Sequence, residues 1–398
     1  MIKCAILGFG TVGVGVAELL DRQKEKLSAA AGDELCLGYI LVRRDMPDSP
    51  WRDKLVRDFS VIENDPDVAI VAEVMGGVGA AYDYTRRALM AGKSVVSSNK
   101  ELVATHGREL AVLAREHGAS YLFEGSVGGG IPLLRPLSRC LAANRIDEVY
   151  GILNGTTNYI LTAMETQGQD FSEALKKAQE LGYAEADPTA DVEGIDACRK
   201  TAILADMAFG KNLDPAAIPT QGITAITAAD IELARALGCT IKLLGHAIRT
   251  QGGCCAFVEP HLVPKEHILA SINGVMNACA VRGDAVNEVV FCGPGAGRYP
   301  TASAVAADIA DAARHLQDPM IPDLGQPGGA VTSPDALACR WYVRADAAPD
   351  AVLSFFPGAE PVYGSSGECA FLTQVMDWRA LEAPFTAIGG RAAYRVLA

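Results

Sequence analysis

A chain of 398 residues exceeds the roughly 150 residues of a typical domain, so two or three domains are expected. Hydrophobic residues at 49% and charged residues at 21% describe an ordinary globular protein with ample core, and no apolar run approaches the ~20 residues that span a bilayer. A net charge of −13 without clustered Lys and Arg argues against a nucleic-acid partner, eleven cysteines without metal-ligand spacing fit a reducing compartment, and the amino-terminal apolar stretch is too short for a secretory signal, so a cytoplasmic protein with no membrane partner is expected.

The first element is an apolar strand, Lys3 to Leu7, followed by Gly8-Phe9-Gly10-Thr11-Val12-Gly13 and a helical pattern through Val16, Leu19 and Leu20. This is a GxGxxG turn between strand and helix. Its first glycine allows the tight turn, its second allows backbone to approach a pyrophosphate, and its third lets the helix pack on the strand. Alternation continues with strands at 35–42, 68–74, 94–97 and 120–123 and helices at 82–91 and 106–117. That order predicts a doubly wound parallel sheet of α/β class, with ligands beyond the carboxyl ends of its strands. The second strand ends in Arg43-Arg44, which favours the 2′-phosphate of NADP over NAD. Ser97-Ser98-Asn99-Lys100-Glu101 lies at a later strand end, which aims Lys100 at the crevice where a nicotinamide would lie.

Glu124-Gly125-Ser126-Val127-Gly128-Gly129-Gly130-Ile131-Pro132 joins this region to a helix expected near Pro132, either as a hinge or as backbone in close approach to a ligand or ion. A strand at 149–153 leads into Asn154-Gly155-Thr156-Thr157-Asn158, a helix start whose amides and hydroxyls either cap the helix or receive a substrate carboxylate. The segment LGYAEADPTADVEGIDACRK, Leu181 to Lys200, carries Glu185, Asp187, Asp191, Glu193 and Asp196 ahead of Arg199 and Lys200. Asp191 is expected to cap the following helix, on which Asp196 and Lys200 share a face that continues into Ile203 and Met207. Read by itself, that pair is either an exposed helix pair worth ~0.3–0.5 kcal/mol or a partly buried pair able to transfer a proton. Strands at 255–258 and 286–291 predict a mixed sheet with helices on one side. The loop Gly293-Pro294-Gly295-Ala296-Gly297 then opens a helix from about Thr301 to Leu316 and could close over the cofactor.

Taken together, GFGTVG, SSNKE, EGSVGGGIP, NGTTNYIL, LGYAEADPTADVEGIDACRK and GPGAG, in that order over roughly residues 1 to 320, resemble the homoserine dehydrogenases. The resemblance implies reversible, NAD(P)-dependent interconversion of L-homoserine and L-aspartate 4-semialdehyde on the route to threonine, methionine and isoleucine. It implies that Lys200 is the proton donor, that Lys100 stands beside the reacting carbon, and that Glu185, Asp191 and Asp196 hold the substrate with Tyr183, Asn154, Gly155 and Thr156. The glycine loop Gly8 to Gly13, Arg43, Arg44, Ser98, Lys100 and Gly297 would hold the dinucleotide. A structural sodium ion would sit on backbone oxygens at Glu124, Val127, Gly129 and Ile131, and the chain would form a homodimer or higher homo-oligomer. A related reductase of another small aldehyde or imine, or a non-catalytic NADP-binding regulator, are the alternatives; Lys100 and Lys200 count against the regulator.

Residues 340–398 read as strand, helix, two strands, helix at 377–387 and a last strand at 392–397, which resembles a short ACT-like module without an obvious ligand loop. The expected division is thus a nucleotide-binding domain at 1–130 plus 300–325, a substrate and dimerisation domain at 131–299, and the ACT-like module at 338–398.

Overall fold

The computed structural model describes residues 1–251, 253–365 and 367–397. The chain forms two compact units: Met1–Asp147 with Ala202–Pro215 and Arg282–Gly329, and Glu148–Thr201 with Ala216–Val281 and Ala330–Ala398. The role-based division expected from sequence cuts the chain differently, since the carboxyl-terminal residues here fall in the second unit.

The first unit is built on six parallel strands: β1 (Ile2–Leu7), β2 (Leu35–Leu41), β3 (Leu55–Val56), β4 (Val68–Glu73), β5 (Ser94–Ser97) and β6 (Tyr121–Leu122). Their spatial order is β3-β2-β1-β4-β5-β6, so the winding reverses between β1 and β4. A dinucleotide-sized crevice opens at such a reversal because the loops leaving neighbouring strands turn to opposite faces. Cys4 to Leu7 are an unbroken apolar run because both faces of β1 are covered. Val16, Ala17 and Leu20 of the Thr11–Arg22 helix share one core with Val305, Ile309 and Ala312 of the Arg298–Arg314 helix. Gly15 lets these helices approach, since a Cβ there would lie 2.8 Å from the Arg298 carbonyl oxygen.

Two local expectations change. The helix expected from His106 starts at Lys100, because the Asn99 side chain accepts the Leu102 N–H at 3.1 Å and caps it six residues earlier. No regular helix starts at Pro132; instead the Glu124 carboxylate accepts the N–H groups of Leu133, Leu134 and Arg135 at 2.6–2.9 Å, and a one-turn π-helix follows at Pro136–Cys140.

Strands of the second unit follow the order Met276–Gly283, Ile146–Ile152, Cys239–Thr250, Gly253–Pro264, Gly390–Val396, Trp341–Ala345, Cys369–Leu372, Glu360–Tyr363. The sheet is mixed: Gly253–Pro264 pairs antiparallel with Cys239–Thr250 and parallel with Gly390–Val396. The carboxyl-terminal segment is therefore an extension of this sheet, with its own β-α-β-β-α-β order and a small core around Trp341, Val352, Phe371 and Leu381. Arg344 and Tyr342 fasten it to the Ala228–Ala236 helix, where both bond the fully buried Asp230 at 2.7–3.0 Å.

Candidate active site

In the first unit, the glycine loop is shaped by contacts that leave no room for side chains at two of its glycines. Gly8 adopts φ +95°, and a Cβ on Gly13 would lie 2.1 Å from the Gly8 carbonyl oxygen, so helix and strand touch there through bare backbone. Gly10 differs: a Cβ on it would meet nothing within 4 Å. It caps the Thr11–Arg22 helix with no side-chain bond, so the first amides of that helix are available to an anion. A cavity of about 1210 Å³ opens here, lined by Gly8, Phe9, Gly10, Arg43, Arg44, Val74, Met75 and Gly76 among others. Arg57 lines it too and was missed by sequence reasoning. It follows β3, in a segment without strand periodicity, and donates to the Arg43 carbonyl at 3.2 Å while facing Asp45 at 3.5 Å. Ser98 and Lys100 leave the neighbouring β5, with Lys100 the first residue of its helix. Gly297, at φ +127°, precedes the Arg298–Arg314 helix, whose Arg298 pairs with Glu18 of the glycine-loop helix.

The second unit gathers the expected substrate residues around the Ile195–Phe209 helix. Asp191 is not the cap of that helix: it lies inside a separate short helix, Thr189–Val192, and Gly194 at φ +80° makes the turn between the two. Asp196 and Lys200 do share a face, at 2.7 Å, with side chains only 5% and 8% exposed, so the buried alternative holds. Lys200 Nζ also donates to the Leu153 carbonyl at 2.7 Å. Asn154 accepts the Thr157 N–H through Oδ1, capping the Gly155–Gln167 helix, and its Nδ2 donates to Asp191 at 2.6 Å and Asp196 at 2.9 Å. The amide thus serves the two acids, and it is they that are placed to meet a cation. Thr156 donates to the Tyr183 carbonyl at 2.7 Å, and Gly155 begins the same helix. Glu185 stands exposed, its carboxylate making no hydrogen bond or ion pair among the described residues.

Among the described residues no cluster of three or more His, Cys, Asp or Glu could hold a metal, so a cation would need backbone oxygens. Glu124, Val127, Gly129 and Ile131 are all buried. Gly128 and Gly129, at φ +74° and +54°, turn the chain within this segment.

Two family models match: "Homoserine dehydrogenase, NAD binding domain" over residues 8–124 and "Homoserine dehydrogenase" over residues 132–310. The chain is 42% identical over 355 residues to the homoserine dehydrogenase of Pseudomonas aeruginosa, covering 87% of this chain and 82% of that one. It is 46% identical over 320 residues to that of Mycobacterium tuberculosis, covering 79% and 73%. The crystal structure of a homoserine dehydrogenase from Thiobacillus denitrificans superposes with a TM-score of 0.91 at 34% identity over 100% of this chain and 98% of the other. A hyperthermophilic archaeal homoserine dehydrogenase in complex with NADPH superposes at 0.68 and 26% identity over 80% and 99%.

Proposed function

The chain belongs to the homoserine dehydrogenase family, oxidoreductases acting on a CH–OH group, and from that premise we propose that Lys200 is the proton donor and acceptor in the interconversion of L-homoserine and L-aspartate 4-semialdehyde. The observation that carries this is the Lys200–Asp196 pair, held at 2.7 Å and withdrawn from water. A bound nicotinamide would supply the hydride exchange. As the carbonyl oxygen gains negative charge, the Lys200 ammonium stabilises it and delivers the proton; in oxidation the neutral amine takes it back. Oxidation is therefore expected to run faster at alkaline pH. Asp191 and Asp196, held by the Asn154 amide, are assigned to the substrate ammonium, the amides of Gly155 and Thr156 at the start of their helix to its carboxylate end, and Tyr183 and Glu185 to outer contacts.

We assign NADP over NAD because three arginines, Arg43, Arg44 and Arg57, line the cavity beside the glycine loop, where a 2′-phosphate needs cationic donors. Lys100, with Ser98, is assigned to the nicotinamide end. The four buried carbonyls at Glu124, Val127, Gly129 and Ile131 suit a hard cation, and we assign them a structural sodium ion. The βαββαβ order supports an ACT-like reading of the carboxyl-terminal segment, used for packing rather than for ligand control, in a homodimeric enzyme.

The test follows nicotinamide absorbance with L-homoserine at alkaline pH. Turnover is expected with NADP, and Lys200→Ala should lower kcat by about 10²–10⁴-fold while NADPH still binds. Turnover that survives Lys200→Ala unchanged overturns the assignment; NADPH binding without turnover in the unmodified chain favours a regulator.

A further inference from the structure

Glu73 is the last residue of β4, and its carboxyl group is fully buried at the edge of the sheet from which the cofactor loops depart. Burial pushes this carboxyl above its ordinary range, so a residue placed here for packing alone would serve better without it. What the group does is accept two loop donors. Oε1 takes the Met75 N–H at 2.9 Å and Oε2 takes the Ser97 hydroxyl at 2.6 Å. Ser97 Oγ in turn accepts the Asn99 N–H at 3.0 Å, and Asn99 Nδ2 donates to the Gly77 carbonyl at 2.7 Å. The bonds close a ring: Glu73 to Met75–Gly77 on one side, Glu73 to Ser97–Asn99 on the other, and Asn99 back to Gly77.

Both arms of that ring matter to the crevice. Met75 and Gly76 line the large cavity, and a Cβ on Gly8 would come within 2.8 Å of Met75 Cγ, so the Met75 loop abuts the glycine loop. Asn99 caps the helix whose first residue is Lys100. We propose that Glu73 is a positioning residue for the dinucleotide: its carboxylate joins the loops after β4 and β5 into one rigid wall, fixing the cavity lining and the start of the Lys100 helix together. It touches neither substrate nor reacting atoms. The proposal rests on the reading that this cavity takes the nicotinamide dinucleotide.

The experiment uses the full-length chain with Glu73→Gln, Ser97→Ala and the double variant, titrating NADPH by its fluorescence and recording KM values and thermal melting. Each single change should weaken NADPH binding by about tenfold, and KM for homoserine at saturating cofactor should move by less than about twofold. The double variant should bind no more weakly than the worse single, because either change opens the same ring at the Glu73–Ser97 bond. Ser97→Ala keeps the question answerable if Glu73→Gln folds poorly. Unchanged NADPH affinity with only a lowered melting temperature overturns the proposal, as do losses that multiply in the double variant. Binding is read directly, so failure of homoserine turnover would count against the assigned reaction and leave the Glu73 result standing; an unmodified chain that binds no NADPH would end both.

Discussion

Asn154 and Lys200 converge on one oxygen: Oδ2 of Asp196 accepts from Asn154 Nδ2 at 2.9 Å and from Lys200 Nζ at 2.7 Å. The same amide nitrogen reaches Asp191 at 2.6 Å, so a single side chain holds two acids and, through one of them, the lysine. Asn154→Ser keeps a cap for the Gly155–Gln167 helix but withdraws both donations. The expected outcome is a KM for homoserine raised by about tenfold, with NADPH affinity unchanged. Steady-state kinetics at saturating cofactor would check it, and an unaltered KM would mean the acids keep their places without the amide.

Arg57 should behave as a cofactor residue although it lies outside the glycine loop and the strand that follows. Because it lines the cavity with Arg43 and Arg44, Arg57→Ala should raise KM for NADP by about tenfold and leave that for NAD nearly unchanged. Equal losses with both dinucleotides would remove it from 2′-phosphate recognition.

The glycine loop offers a paired test. At Gly13 a Cβ would press on the Gly8 carbonyl oxygen, an unyielding backbone atom, so Gly13→Ala should destabilise the chain by about 1–3 kcal/mol. At Gly10 there is open space, so Gly10→Ala should leave the melting temperature alone and weaken NADPH binding instead. Calorimetry and a binding titration on the two variants separate packing from ligand approach; matching effects in both would contradict the division of labour.

Asp206 makes stability depend on pH. Burial pushes its carboxyl up to about 8, against the bonds it accepts from Leu213 N–H and Asn212 Nδ2. Between the ordinary carboxyl range and about 8, the folded chain holds a proton that the unfolded chain has released, so its contribution to stability is full in acid and is lost as pH rises through that window. The melting temperature should therefore fall from pH 6 to about pH 8 more steeply in the unmodified chain than in Asp206→Asn. Parallel slopes across that range would exclude Asp206 as the cause.

Much of this was legible before any fold was drawn. The period of the apolar runs and the glycine spacing predict the parallel sheet and the phosphate-binding turn, because both are local: a strand, a turn and a helix start are specified by residues within one or two turns of each other. The Asp196–Lys200 pair was legible for the same reason, four residues apart on one helix. Its burial was not, since exposure depends on what packs over that face, and the sequence left the bland alternative open. Asp191 was misplaced as a cap because Gly194 can end one helix and begin another without changing the apolar period. Arg57, and the ring through Glu73, Ser97 and Asn99, leave no local signature at all. The bonds Arg57 to Arg43, Asn99 to Gly77 and Ser97 to Glu73 span 14 to 24 residues and form only when parallel strands align their carboxyl ends. Sequence determined which chemical groups this protein carries and the elements that bear them; tertiary structure decided which of those groups face one another out of water, because hydrogen-bond partnership and desolvation belong to the packed whole rather than to any segment.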